Sequence, residues 1–87
     1  MKQFSYTPKG VCSRRIDIDL DDNDVVQAVR FTGGCSGNTK GVAALCVGRN
    51  AREIIRLLKG IPCGPRPTSC PDQLALALES YLQSQGA

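Results

Sequence analysis

The 87-residue chain has no histidine, and that gap removes more chemistry than any other. Without imidazole there is no Ser-His-Asp or Cys-His couple, no HExxH zinc site and no side chain that ordinarily titrates near neutral pH. Aromatic residues are also scarce, two Tyr and two Phe, which leaves little to stack on bases, so nucleic acid is not an expected partner. Long apolar runs are missing too. The longest, Val42-Ala43-Ala44-Leu45-Cys46-Val47, falls far short of the ~20 residues of a membrane span. Met1-Lys2-Gln3-Phe4 carries one positive charge but no apolar stretch behind it, so it does not read as a signal peptide. The expected location is the reducing cytoplasm, with no membrane contact. A chain of this length allows one domain, residues 1–87, and no separate cofactor-binding half.

What the chain does have is cysteine: five, at Cys12, Cys35, Cys46, Cys63 and Cys70. In a reducing compartment such a set points to metal or redox work before structural staples, and an odd number cannot pair completely within one chain. No CxxC is present, so position on the elements says more than spacing.

The first third of the sequence reads as β. Phe4 and Tyr6 alternate with polar neighbours, and Ile16, Ile18 and Leu20 alternate with Asp17 and Asp19. Asp21-Asp22-Asn23-Asp24 is turn chemistry, and Val25 to Phe31 returns as a β-branched run. The remainder reads as helical. Asn38 is placed to cap a short helix through Val42, Leu45 and Cys46 that Gly48 stops. Asn50 with Glu53 resembles a capping box before Ile54, Ile55, Leu57 and Leu58, and Lys59-Gly60 closes that helix. After a Pro-rich loop, Pro71 opens a last helix with Leu74, Ala77, Leu78 and Tyr81 at helical spacing. The predicted fold class is α+β: a small antiparallel sheet of about three strands followed by three helices packed on one face.

On these elements the cysteines divide four to one. Cys46 lies inside an apolar helical stretch and reads as a small core residue. Cys12 sits where a turn enters a strand, Cys35 in the strand-to-helix loop, and Cys63 in the Pro-rich loop. Cys70 lies at the N-terminus of the last helix, just before Pro71, where free N–H groups favour a thiolate. Gly33, Gly34 and Gly37 permit close backbone approach around Cys35, with Asn38 as the adjoining helix cap. The loop is not a phosphate loop, because Gly34 is followed by four residues and then by Thr39-Lys40 rather than Gly-Lys.

The 11 Lys and Arg against 8 Asp and Glu give a formal charge of +3. Five acids fall between Asp17 and Asp24, but a calcium loop there would put Asp22 at its glycine position and Ala28 at its last ligand. A solvated hairpin face is the better reading. Arg49, Arg52, Arg56 and Lys59 form one helical stripe, read first as a wet face and second as a docking surface for an acidic partner or nucleic acid.

Gly10-Val11-Cys12-Ser13, Gly33-Gly34-Cys35-Ser36-Gly37-Asn38, Gly60-Ile61-Pro62-Cys63 and Thr68-Ser69-Cys70-Pro71-Asp72 together resemble the TSCPD domain, which takes its name from the last string. The resemblance covers nearly the whole chain. It implies a small standalone relative of the C-terminal domain of adenosylcobalamin-dependent ribonucleotide reductases, and an association with ribonucleoside-diphosphate reductase and DNA synthesis. A more distant similarity is to iron–sulfur scaffold proteins of the NifU N-terminal type, and so to a NifU/SufE-like fold. It rests on Cys12 entering a strand, Arg30-Phe31, Cys35 before a helix, and Cys70 before Asp72-Gln73-Leu74. That similarity implies that Cys12, Cys35 and Cys70 converge at one end of the sheet. This chain departs from the scaffolds at Arg14, where they have Asp, and at Ser69, where they have His.

The resulting expectation is a cysteine-ligated metal module. Its ligands are Cys12, Cys35, Cys63 and Cys70, supported by Gly33, Gly34, Gly37, Asn38, Ser69 and Asp72, and it holds zinc or an iron–sulfur cluster. Its expected partner is a protein of ribonucleotide reduction or of iron–sulfur assembly. The alternatives are a thiol–disulfide relay of the reductase and a non-catalytic interaction domain. Ribonucleotide reduction by this chain alone is not expected, because radical chemistry needs a cofactor and an enclosed substrate pocket.

Overall fold

The computed structural model describes residues 2–11, 13–34 and 36–86, and of 36–38, 85 and 86 the backbone alone. Three strands, β1 (Lys2–Tyr6), β2 (Ser13–Leu20) and β3 (Val26–Gly33), form one antiparallel sheet in the order β1-β2-β3. Three helices follow: α1 (Ser36–Cys46), α2 (Ala51–Leu58) and α3 (Cys70–Gly86). The α+β architecture expected from the alternation is the one observed.

Pairing explains the two faces of the sheet. Tyr6, Ile16 and Phe31 lie in one cross-strand row, and Phe4, Ile18 and Val29 in the next. This side meets the helices, where Ile16, Ile18, Leu20 and Val26 pack with Ile54, Leu74, Leu78 and Tyr81 in a fully buried core. Phe4 meets Tyr81 edge to face at 5.7 Å. The other face is polar and pairs with itself. Ser5 donates to Asp17 at 2.6 Å, Arg15 reaches Asp17 at 2.9 Å, and Arg30 reaches Asp19 at 3.3 Å. The Ser5 hydroxyl, helped by Arg15 and Arg30, holds the Asp17 carboxyl below the usual carboxylate range against the cost of desolvation.

The hairpin tip is stitched to the helices. Asp24, left-handed at φ 63°, accepts the Ala51 amide on its carbonyl at 2.8 Å and the Tyr81 hydroxyl on its carboxylate at 3.1 Å. Burial first, and then Asp24, push the Tyr81 phenol above its ordinary value. Val26 bonds the turn after α1, donating to Arg49 at 2.9 Å and accepting from Gly48 at 2.8 Å.

Four local expectations shift. α1 starts at Ser36, so Asn38 lies within its first turn rather than at the cap. Asn50 does cap α2, accepting the Arg52 amide at 2.9 Å, but Glu53 turns to Arg49 instead of back to the cap. α3 begins at Cys70, one residue before Pro71, because Ser69 is the cap: its hydroxyl accepts the Asp72 amide at 3.2 Å. Proline is still accommodated, since no amide in the first turn has a helical acceptor. Leu45, grouped with the apolar side of α1, is 69% exposed. It forms, with Val42, Ile54 and Leu57, a shallow apolar groove between α1 and α2.

Candidate cysteine site

Cys12 and Cys35 lie outside the described residues, so the geometry of the site is read from their chain neighbours and from Cys70. Ser13, which follows Cys12, is the first residue of β2 and pairs with Gly33 across the sheet. Its hydroxyl is buried and lies 3.4 Å from the Cys70 sulfur. Gly34, which precedes Cys35, packs directly on Ser13: a Cβ at Gly34 would stand 3.2 Å from that of Ser13. Gly33 and Gly34 are both left-handed, at φ 81° and 83°, so the expectation that these glycines serve conformation and close approach agrees with the backbone. Gly37 instead lies inside the first turn of α1.

The start of α3 is fixed by a dense set of hydrogen bonds. Asp72, buried, accepts the Gly60 amide at 2.6 Å on one carboxylate oxygen and the Thr68 hydroxyl on the other. The Ser69 hydroxyl donates to the Ile61 carbonyl at 2.6 Å while capping the helix. Gln73 donates to Thr68 at 2.9 Å and accepts the Lys9 amide at 3.0 Å. Gly10, left-handed at φ 75°, leaves room for the Thr68 methyl, which would lie 3.1 Å from a Cβ. The Thr-Ser-Cys-Pro-Asp string therefore anchors the loop after α2 and the segment before β2 to one helix start. Of its side chains, only that of Cys70 is left for other chemistry.

Cys63 lies apart in this respect. It is exposed and opens a tight turn, exchanging backbone bonds with Arg66 at 3.0 and 3.2 Å around Gly64 at φ 57°. Cys46 is 3% exposed, in the core as expected, and burial pushes its thiol up to about 11. Among the described residues no three of His, Cys, Asp or Glu are grouped as metal ligands.

The basic stripe is largely engaged within the chain. Arg49 pairs with Glu53, Arg52 with Asp24 and Lys59 with Glu79, at 3.1, 3.3 and 2.8 Å. Ser13, Thr68 and Gln73 are site residues that the sequence reading did not single out as supports. Thr68 and Ser13 stood in its motifs, but nothing in them marks which hydroxyl faces a sulfur.

No helix among the described residues is long and apolar enough to cross a membrane. No curated protein and no solved structure matches the chain. The family model of the TSCPD domain matches residues 1–82, which includes every cysteine and every hydrogen bond of the α3 start. The chain belongs to the TSCPD domain family.

Proposed function

We propose that this chain is a cytoplasmic metal-binding module, holding zinc or an iron–sulfur cluster through the thiolates of Cys12, Cys35 and Cys70, with Cys63 as the fourth ligand. It serves a protein partner in ribonucleotide reduction or iron–sulfur assembly. One observation carries the reading: Ser13 touches both Gly34 and Cys70, and Ser13 and Gly34 are the chain neighbours of Cys12 and Cys35. Thiols carried on these three segments would form a soft donor set, which suits zinc or iron–sulfur chemistry. The hydroxyl of Ser13 beside the Cys70 sulfur is the kind of outer contact that orients a thiolate ligand. When bound, zinc would supply a rigid tetrahedral anchor and a cluster would supply one-electron chemistry.

The exposure of Cys63 favours a second reading, a thiol relay. In it two thiols close to a disulfide as a partner's disulfide opens to two thiols. Metal and acid-labile sulfide analysis of anaerobically purified protein separates the two. The module reading expects stoichiometric zinc or iron, lost in Cys12→Ser, Cys35→Ser, Cys63→Ser and Cys70→Ser and kept in Cys46→Ser. Metal retained in Cys63→Ser alone would remove that residue from the ligand set. Folded, metal-free protein that reversibly forms a disulfide at a cytosolic potential would replace the module with the relay.

A further inference from the structure

Beside the Gly33-Gly34 turn, β3 and α1 leave a solvent-open cavity of about 360 Å³. That volume falls within the ~300–1,000 Å³ of small-molecule sites. Val29, Phe31 and Ala43 give it apolar walls, and Lys40 and Arg30 stand on its rim. None of its described lining residues is acidic. Lys40 makes no ion pair among the described residues, whereas Arg30 is shared with Asp19 at 3.3 and 3.4 Å. Of the two rim cations, Lys40 is therefore the one without an ion pair among the described residues.

We propose that this cavity binds a small anion with an apolar body, an aryl or alkyl phosphate or carboxylate. Lys40 meets the charged group, and Val29, Phe31 and Ala43 cover the body. An exposed lysine alone is well hydrated and selects little, and an apolar wall alone takes neutral molecules as readily as charged ones. Both on one cavity select an amphiphilic anion, through a charge-assisted hydrogen bond at one end and burial at the other. The charge layout of the molecule works in the same direction. Asp21, Asp22 and Asp24 cluster at the hairpin tip, one strand length away, while Arg14 and Lys40 lie toward the Gly33-Gly34 end of the sheet. The inference does not depend on whether the cysteines hold a metal.

Titration of the isotope-labelled full chain with phenyl phosphate, benzoate and neutral benzyl alcohol, at fixed ionic strength, tests it by amide chemical shifts. Saturable shifts at Gly33, Gly34, Lys40 and Ala43 are expected with at least one anion and not with the alcohol. A response to phenyl phosphate alone assigns a phosphate ligand, and a response to benzoate alone a carboxylate. Lys40→Gln should weaken binding about tenfold, the loss of one charge-assisted bond. Lys40→Glu should abolish it, with the rest of the spectrum unchanged. Shifts scattered over the basic surface, an equal response to benzyl alcohol, no shift at all, or affinity unmoved in both variants would each overturn the proposal.

Discussion

Cys46 and Ser13 show how differently two small side chains can be read. Cys46 stands in an apolar helical run, so its burial follows from sequence, and burial raises its thiol from 9.0 to about 11. The folded state then keeps a proton that the unfolded chain gives up, so this contribution is complete below pH about 9 and is lost as pH rises toward 11. Denaturant midpoints should fall across that window in the wild type and less steeply in Cys46→Ala. Ser13 was not legible. A register shift between Ser13 and Arg15 breaks the period-2 alternation, so Ser13 turns inward although Arg14 and Arg15 are both exposed. If Cys70 is a ligand, Ser13→Ala should lower metal affinity about 10- to 100-fold in a competition titration with a chelator, and leave the fold intact.

Among the elements, the start of α3 decides how firmly the long irregular loop is held. Asp72 fastens both ends of that loop, through Gly60 and Thr68. Asp72→Ala should cost about 2–3 kcal/mol in denaturant unfolding, because it removes two bonds to a charged acceptor. Hydrogen exchange at the Gly60 amide should speed up in the same variant. The elements themselves were legible, since alternation over 16–20 and helical spacing over 74–81 each admit one reading. Their boundaries were less so. Ser36 and Asn38 both suit a helix start, and Ser69 and Pro71 both announce one, so residue preference alone could not rank them. Glu53 left its capping role because Arg49, four residues earlier, offers an ion pair.

For the molecule as a whole, α3 and α1 share the cover of the sheet, α1 lying on β3 and α3 reaching β1 and β2. Leu74, Ala77, Leu78 and Tyr81 are buried against strands and α2, and Leu78→Ala should cost about 2–5 kcal/mol by leaving a cavity in the single core. Calorimetry would show it as one cooperative transition at lower temperature. Which loops meet at the cysteine end was not readable from spacing, because the convergence depends on strand register and on side-chain hydrogen bonds between distant residues. Cys70 and Ser13 are 57 positions apart.

The lateness of α3 along the chain has its own consequence. A ribosome releases the three strands first, then α1 and α2, and until α3 follows the core rows of Ile16 and Ile18 lack Leu74, Leu78 and Tyr81. Asp24 likewise waits for Tyr81 before the hairpin tip is fully fastened. A nascent chain stalled before α3 is therefore a half-covered sheet with apolar residues still exposed and a natural client for a chaperone, and its core closes only when its final helix arrives.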